Sequence, residues 1–462
     1  MHKGLSMEKI EIQIISRDTI KPTSPQIHLK EPYKFCVFNQ LTPFTYTPLI
    51  FFYSTISHSE DAIASTTRSQ LIRIKNSLSE ALNLYYPFSG RVNNNLLIDR
   101  FNEGVPFATA KVGCRMKDFL NHQKGEFELL NKLLPRQPFA KEVEMDSPIL
   151  VFQANVFTCG AIALGLVASH KIFDGPTGRA FISVWTAIAH GRTPGKNQVP
   201  ELSEPSEFFP PRESFPPSYL SLMENLWFTE ANYLTRRFVF GGKSIAALRE
   251  KGKGEKDATR PSRVETLTAF IWRCCMDASK EVSLNASRPS ILVEAVNLRT
   301  RTNPRMSDTS VGDVFWWAQA VSNPTDSNTE LHNLVGLLKE AIAFYGDEYA
   351  ESLQGEEGFE TLSGYFEQLE GLFASEKPDI FAFTCWSYLG FTKLNFGWGD
   401  PFWVGLMGKV GPEFRNLIVL IETQDGKGME AWITLDAPRM AALERHPELL
   451  AFASPNPLAS CL

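Results

Sequence analysis

The stretch ILVFQANVFTCGAIALGLVASHKIFDGPTGRA, residues 149–180, does most to decide the fold. Residues 149–169 are rich in β-branched and aromatic residues and are interrupted at Gly160, which predicts a β-hairpin or two buried strands. A turn follows at Asp174-Gly-Pro, and apolar residues at helical spacing then predict a helix from about Thr177 to His190. Strands followed directly by a helix indicate an α/β fold.

Similar patterns extend outward from this stretch in both directions. On the N-terminal side they predict a strand from Lys9 to Ser16, a proline-punctuated segment at 20–25, a helix over 65–84 and a helix break at Pro87. On the C-terminal side they predict strands at 236–240, 291–298, 416–423 and 429–435 and helices at 244–252 and 263–275.

The length of the chain predicts two domains. Its 462 residues exceed the size at which a single hydrophobic core stops growing. A segment with prolines at 200, 205, 210, 211, 216 and 217 cannot lie inside a helix or a sheet, so we place the crossover between the domains there. The expected division is an N-terminal domain at 1–199, a crossover at 200–225 and a C-terminal domain at 226–462.

Composition excludes several classes of protein. A net charge of -6 and a pI near 5.9 give no basic surface for nucleic acid. Seven cysteines without a Cys-x-x-Cys pair indicate neither a disulfide framework nor a zinc or dithiol site, so no metal is expected. The N-terminal MHKGLSMEKIEIQI has no apolar core typical of a signal peptide, and no apolar run reaches membrane-spanning length. We therefore expect a cytoplasmic protein that has no membrane partner.

The first candidate for chemistry is SHKIFDG, which contains His170 and Asp174. His170 stands at the end of a predicted strand, where functional side chains are common, although a structural histidine is the alternative. Asp174 precedes a predicted helix, so its carboxylate is expected to cap the helix N-terminus, a structural task.

The second candidate is LNFGWGDP, residues 394–401. Two glycines around Trp398, followed by Asp-Pro, suit a tight loop that brings the backbone close to another group. On its own, this pattern is equally typical of a turn with an aromatic plug.

Together the two motifs resemble the paired signatures HxxxDG and DFGWG of the plant BAHD acyltransferases. IKPTSP, YYPFSGRV, SRVETLTAFIW and EAVNLR occur in the order which that family shows, so the resemblance covers essentially the whole chain. It is strongest to the members that acetylate plant alkaloids and related specialised metabolites. The resemblance implies two similar-sized domains of mixed sheets flanked by helices, as in chloramphenicol acetyltransferase, joined by a long crossover loop.

The resemblance also implies a reaction. An acyl group, acetyl by default, would pass from acyl-CoA (acetyl-CoA) to the hydroxyl of a small-molecule alcohol such as an alkaloid or terpenoid, in a monomeric enzyme. The attacking oxygen must lose a proton, and a neutral imidazole suits that task near neutral pH, so His170 is the expected general base. Trp398 is the expected donor to the oxyanion. Lys243, Ser262 and Arg263 are candidates for binding the coenzyme A phosphates, with solvated loop charges as the alternative.

The chain departs from the family pattern in one loop. Asn395 replaces the usual Asp, and Asp400 replaces a common Lys. The resemblance implies that the missing carboxylate would pair with Arg299, so Asn395 and Arg299 are expected to be structural neighbours at the active site. Asp313 stands where many members carry Asn, and we hypothesise that it supplies the missing charge to Arg299, with an unrelated chance substitution as the alternative.

Two other functions stay open at this point. The altered NFGWGD loop could mark a catalytically silent relative that only binds acyl-CoA or a small ligand, although such a relative would not need His170. A condensation domain of peptide synthesis shares an HxxxDG element, but it usually carries a second histidine where this chain has Ser169.

Overall fold

The computed structural model describes residues 10–54, 60–122, 127–140, 146–254, 260–283, 288–323, 329–375, 378–411 and 415–457. Within these ranges the strands form two large mixed sheets and one small antiparallel sheet. No helix in these ranges combines the length and the apolar character needed to cross a bilayer.

The first large sheet is built mainly by the N-terminal half of the chain. In spatial order its strands are Ile12–Ile20, Val105–Val112, Leu150–Phe157, Ile162–Ser169, Tyr46–Tyr53 and Trp403–Gly405. Only Val105–Val112 and Leu150–Phe157 run parallel to each other. The central strand Ile162–Ser169 is buried along its whole length, as its uninterrupted apolar sequence requires.

The second large sheet is built by the C-terminal half. In spatial order its strands are Phe315–Ser322, Ser290–Asn297, Asp379–Cys385, Leu417–Glu422, Met429–Asp436, Tyr233–Phe240 and Ala453–Pro455. The strand Asp379–Cys385 is parallel to both of its neighbours, and the other pairs are antiparallel. The small sheet contains Tyr33–Lys34, Leu97–Asp99 and Arg91–Asn93.

Helices flank these sheets. The α-helices are Val37–Leu41, Glu60–Ala81, Met116–His122, Gly175–Ala189, Glu204–Phe208, Pro217–Trp227, Gly242–Lys251, Arg263–Val282, Leu331–Ala343, Asp347–Ser352, Gly358–Ser375, Ala437–Leu443 and Pro447–Phe452. Short 3-10 helices are found at Ile27–Leu29, Tyr86–Ser89, Phe127–Leu133, Lys196–Gln198 and Phe391–Lys393. The helix Arg263–Val282 places its apolar face against the second sheet in one continuous core.

The central stretch folds as its sequence predicts. The strands Leu150–Phe157 and Ile162–Ser169 form an antiparallel hairpin, which decides between the two predicted arrangements. The following helix, Gly175–Ala189, begins two residues before the predicted Thr177, because Asp174 caps it and Pro176 fits its first turn.

Several predicted elements differ from the structure in their bounds; the helix predicted at 263–275, for example, continues to Val282. The N-terminal strand is Ile12–Ile20 and continues beyond Ser16, because it pairs along its length with Val105–Val112; Lys9 lies outside the described residues. The proline-rich crossover is not entirely a loop, since it contains the helix Glu204–Phe208 and the start of Pro217–Trp227. Both helices carry a proline in their first turn, where the missing N–H costs nothing.

One short strand crosses the division of the chain. Trp403–Gly405 pairs with Ile50–Phe52 at the edge of the first sheet, although the chain before and after this strand belongs to the C-terminal half. The boundaries 1–199, 200–225 and 226–462 therefore remain a proposal about chain segments.

Candidate active site

His170 lies at the wall of a cavity between the two large sheets. It directly follows the strand Ile162–Ser169, and its backbone N–H donates to the carbonyl of Thr45 at 2.8 Å. The cavity has a volume of about 280 Å³, and residues of both halves of the chain line it. The side chain of His170 is 24% exposed, so a small molecule in the cavity can reach it.

The imidazole of His170 has a buried carboxylate as its partner. Its Nδ1 lies 3.1 Å from Oδ1 of Asp313, whose side chain is 1% exposed. The other oxygen of Asp313 accepts a hydrogen bond from Thr42 Oγ1 at 2.6 Å. Burial lowers the pKa of His170, but the charge and hydrogen bond of Asp313 more than offset this effect, and the pKa is raised overall.

Asp174 has the structural position that the sequence predicts. Its Oδ1 accepts from the backbone N–H of Thr177 at 2.9 Å, so the predicted helix cap is confirmed. Asp174 has a second role that the sequence did not reveal, because it forms a bidentate ion pair with Arg299. Nη1 of Arg299 lies 2.6 Å from Oδ2 of Asp174, and Nη2 lies 3.2 Å from Oδ1, with both side chains buried. Arg299 is therefore structural, as predicted, but through a different partner.

The predicted pairing of Asn395 with Arg299 is wrong. The amide oxygen of Asn395 accepts from the backbone N–H groups of Gly397 at 2.8 Å and Gly399 at 3.3 Å, and its nitrogen donates to Asp400 at 3.1 Å. Asn395 thus closes its own glycine-rich turn. Arg299 does not need it, because Asp174 already neutralises the guanidinium.

The hypothesis that Asp313 supplies charge to Arg299 is wrong for the same reason. Asp313 directs its carboxylate to His170 and Thr42, whereas Arg299 binds the backbone carbonyl of the preceding Gly312 at 2.9 Å. The two residues are neighbours in space, but they serve different partners.

Trp398 does not lie where an oxyanion donor must lie. Its ring packs against Phe396 and Tyr53, with centroid separations of 5.5 and 6.1 Å. Tyr53 is at one end of the strand Tyr46–Tyr53, whereas Tyr46, at the other end, pairs with Ser169 beside His170. Seven residues of extended chain separate these ends by roughly 23 Å. Trp398 is absent from the cavity lining, so the structure does not bring it together with His170.

The three candidates for binding coenzyme A lie around one turn of the second sheet. Arg263 donates to the carbonyl of Gly426 at 3.0 Å and to the hydroxyl of Tyr388 at 2.5 Å. Lys243 is in the first turn of the helix Gly242–Lys251, and Gly242 lies so close to the turn that an added Cβ would meet the Lys427 carbonyl at 3.0 Å.

Ser262 precedes the helix Arg263–Val282 and caps it. Its Oγ accepts from the Glu265 N–H at 3.1 Å, and its own N–H donates to the Glu265 carboxylate at 2.7 Å. This reciprocal capping engages the Ser262 hydroxyl as an acceptor, while the hydroxyl proton remains available as a donor.

A wall of the cavity leads towards this turn. Leu389 and Trp386 line the cavity beside His170, and Tyr388, which receives the Arg263 hydrogen bond, lies between them in sequence. The segment therefore connects the imidazole with the turn at residues 423–428. Because Lys243 and Arg263 lie around this turn, we call it the cationic turn.

Sequence reasoning missed the residues that surround His170. Aromatic walls come from Trp227, Phe315, Trp317 and Trp386, and polar donors come from Thr384 and Asn297. The sequence marks Asp313 as a departure from the family pattern, but no local pattern shows that it reaches a histidine 143 positions earlier.

Comparison with known proteins agrees with this architecture. The model of the Transferase family, that of the BAHD acyltransferases, matches residues 10–450. Akuammiline synthase 2 from Alstonia scholaris is 33% identical over 97% of this chain and 98% of its own length. The chain belongs to this family. Limonoid 7-O-acetyltransferase from Citrus sinensis is 32% identical over 97% of this chain and 99% of its own length.

The crystal structure of vinorine synthase gives the corresponding structural comparison. It superimposes with a TM-score of 0.78 at 28% identity and covers 97% of this chain and all of its own. This BAHD protein accordingly has the predicted fold of two domains with mixed sheets flanked by helices. BAHD members use acyl-CoA, and the relatives of this chain are named acetyltransferases and synthases. The protein is therefore an acyl-CoA-dependent acyltransferase.

Proposed function

We propose that this BAHD protein transfers an acetyl group from acetyl-CoA to a hydroxyl of a plant specialised metabolite, an alkaloid or a terpenoid, with His170 as the general base. The observation that carries the proposal is the position of His170. Its imidazole lines a cavity to which both sheets contribute, and only one of its two nitrogens is bonded to Asp313.

The reaction needs one base and no covalent intermediate on the protein. As the acceptor oxygen attacks the thioester carbonyl, its proton passes to Nε2 of His170, the ring nitrogen that Asp313 does not engage. The tetrahedral intermediate then collapses, the carbon–sulfur bond breaks, and the imidazolium returns the proton to the departing coenzyme A thiolate. The histidine thus ends each turnover in the neutral form in which it began.

Donors for the oxyanion come from the cavity wall in this proposal. Thr384 carries a hydroxyl, and Trp386 carries an indole N–H. The amide oxygen of Asn297 accepts from the backbone N–H of Arg299 at 3.2 Å, which leaves its NH₂ group to act as a donor. These groups share the cavity with His170, whereas Trp398 does not.

The shape and chemistry of the cavity support a rigid, apolar acceptor. Trp227 and Trp317 meet with their ring centroids 4.4 Å apart, and Phe315 and Met223 extend the same apolar lining. Flat aromatic walls suit fused-ring alcohols. The relatives named after alkaloid and limonoid products point to the same class of acceptor.

Acyl-CoA would approach from the cationic turn. We infer that Lys243, Ser262 and Arg263 hold its phosphates there, while the pantetheine arm follows the wall formed by Trp386 and Leu389. Arg263 supports this assignment, because its guanidinium is partly exposed at the helix N-terminus, where anions are favoured.

The test combines a panel of acyl-CoAs with candidate acceptors. The purified protein is incubated with acetyl-, hexanoyl- or malonyl-CoA and an extract of the source tissue, and product masses are read. We expect a mass gain of one acetyl group on a neutral or basic polycyclic alcohol. Products that carry only longer acyl groups, or acetylated amines alone, would contradict the acetyl or the hydroxyl assignment respectively.

The matched variant is His170→Gln, which keeps a polar side chain but removes the base. Its kcat should fall by about 10²–10⁴, while coenzyme A binding measured by calorimetry stays within about twofold of the wild type. Retention of more than a tenth of the wild-type kcat would exclude His170 as the base. Binding of acetyl-CoA without turnover of any acceptor would instead support the silent-relative alternative.

A further inference from the structure

Asp313 contacts the proposed base His170 but has no role in the reaction described above. Its carboxylate is buried, and each oxygen has one partner, His170 Nδ1 at 3.1 Å and Thr42 Oγ1 at 2.6 Å. Thr42 ends the helix Val37–Leu41, while Asp313 precedes the strand Phe315–Ser322. The three side chains therefore join both halves of the molecule in one chain of hydrogen bonds beside the cavity.

The backbone on both sides of Asp313 is clamped. The carbonyl of Gly312 accepts from Nη2 of Arg299 at 2.9 Å and from the hydroxyl of Thr177 at 3.0 Å. The N–H of Val314 donates to Oδ2 of Asp174 at 3.0 Å. The buried Asp174–Arg299 pair thus fixes the turn that carries Asp313, so the carboxylate cannot easily move away from His170.

The position of the carboxylate determines which nitrogen of His170 carries the proton. Nδ1 lies 3.1 Å from Asp313 Oδ1. Because an ionised carboxylate can only accept a hydrogen bond, Nδ1 carries the proton of the neutral ring in this contact, and Nε2 keeps its lone pair. The opposite tautomer would direct an N–H group at the acceptor hydroxyl and could not remove its proton.

We propose that Asp313 is the positioning residue of this acyltransferase: it holds His170 in the tautomer with a proton on Nδ1 and stabilises the imidazolium that forms during attack. The inference rests on the proposed role of His170 as the base. A carboxylate provides more than an amide would, because hydrogen bonds with an ionised partner are roughly twice as strong as neutral ones.

The charges around His170 give the proposal a signature in pH. Burial lowers the pKa of the imidazole, whereas Asp313 and, at longer range, Asp174 raise it, with a raised value as the result. Loss of the Asp313 charge removes the main opposing influence, so the pKa of His170 should fall. The acid limb of the kcat/KM profile, on which His170 becomes protonated, should move to lower pH with it.

The decisive variant is Asp313→Asn, which keeps the size of the side chain and removes its charge. Asp379→Asn is the matched control, because Asp379 also forms a half-buried charge pair, with Arg439 at 2.6 Å, but is not part of the cavity lining. Histidine-selective ¹⁵N labelling gives the protonation state of each ring nitrogen, and His170→Gln identifies the His170 signals by their loss.

In the wild type we expect Nδ1 to be protonated and Nε2 to be free in the neutral state. In Asp313→Asn the His170 pKa should drop by about one unit or more. With an acceptor found in the panel and acetyl-CoA, kcat should fall at least tenfold at pH 7, and the KM for acetyl-CoA should stay within about twofold. Asp379→Asn should leave the His170 titration unchanged.

An unchanged His170 titration and tautomer in Asp313→Asn would overturn the proposal, and so would an unchanged pH profile. The NMR readout does not depend on turnover, so it separates the two proposals. If His170→Gln stays active while the titration shifts as expected, the base assignment fails and the Asp313–His170 linkage stands.

Discussion

Asp174 illustrates how one side chain of the HxxxDG motif acts at the active site without touching the reacting atoms. Its two oxygens accept from the Thr177 N–H, the Val314 N–H and both terminal nitrogens of Arg299. A buried ion pair is expensive to break, because the remaining charge is left without compensation at a cost of about 3–5 kcal/mol. The aspartate is therefore a structural residue, yet its loss would displace the turn that presents Asp313.

Trp398 provides a prediction at the same scale. Its indole N–H is buried without a hydrogen-bond partner among the described residues, and its ring packs against Phe396 and Tyr53 at the side of the first hydrophobic core. Trp398→Phe should therefore lower the free energy of unfolding by about 1 kcal/mol or more through lost packing. Its kcat should stay within about threefold of the wild type. Thermal melts and steady-state kinetics measure the two effects.

The control for Trp398 is Tyr53→Phe, which removes the hydroxyl that donates to the Leu394 carbonyl at 2.6 Å. Both variants should lose stability and keep turnover. A Trp398→Phe protein that melts like the wild type but has lost 10²-fold or more in kcat would restore the indole as an oxyanion donor.

Residues whose roles depend on local sequence were predictable, and those that depend on distant contacts were not. Asp174 was recognised as a helix cap because a cap is defined by its immediate neighbours. Asp313 was not recognised as the partner of His170, since that contact spans 143 residues. The sequence motif around Trp398 suggested a position near His170. It could not show that the side chain packs on Tyr53, at the end of the strand Tyr46–Tyr53 that is far from His170.

At the scale of elements, the loop 394–401 shows two substitutions that compensate each other. Asn395 donates from its amide nitrogen to Asp400 while its oxygen closes the turn, and Lys393 lies 3.0 Å from the same Asp400 carboxylate. An aspartate at 395 would have no proton to donate and would face a second carboxylate. Asn395 and Asp400 therefore suit each other, although each departs from the family pattern.

This pairing gives a prediction for the loop. Asn395→Asp alone should destabilise the protein by on the order of 1 kcal/mol, since a hydrogen bond is replaced by a like-charge contact. The additional change Asp400→Asn reverses the roles of amide and carboxylate and should restore most of the loss. Thermal melts of the four proteins form a double-mutant cycle, and a coupling energy below about 0.5 kcal/mol would show that the two positions are independent.

The strand Tyr46–Tyr53 shows why some elements escape prediction. Its sequence YTPLIFFY contains Pro48, which argues against a central strand. In the sheet, Trp403–Gly405 pairs only with Ile50–Phe52, so Pro48 lies beyond the part that has a strand on that side. Pro48 is tolerated because the neighbouring strand Trp403–Gly405 ends before reaching it. No local pattern in the sequence reveals where a strand so distant in the chain ends.

At the scale of the whole molecule, the two halves share one of their hydrophobic cores. The core around the first sheet includes residues of the C-terminal half such as Val293, Leu394, Trp403 and Trp432. Trp403 stacks on Trp432 with their centroids 6.1 Å apart, and the guanidinium of Arg237 lies 5.1 Å from the Trp403 ring. Chain length predicted two domains, but it could not show that a three-residue strand would cross between them.

Because the two halves share a core, we expect that residues 1–225 do not fold as an independent unit. A fragment of residues 1–225 would lack Trp403–Gly405 at the sheet edge and would expose the apolar residues that normally pack against the C-terminal half. Long unpaired edges and open apolar surface favour aggregation over cooperative folding. We expect this fragment to be poorly soluble and to melt without a cooperative transition, whereas co-expression with 226–462 should yield a soluble, active complex.

The control also breaks the chain within the crossover, at residues 213–214 before the helix Pro217–Trp227, but introduces the break after folding. A protease site inserted beside the exposed Glu213 and Ser214 allows the folded protein to be cleaved in the crossover. Because the two halves pack through one core, the cleaved protein should keep its activity and elute as one species in size-exclusion chromatography. A cooperative melt of the isolated 1–225 fragment near the melting temperature of the intact protein would show instead that the crossing strand and the shared core are dispensable, and that the N-terminal domain folds alone.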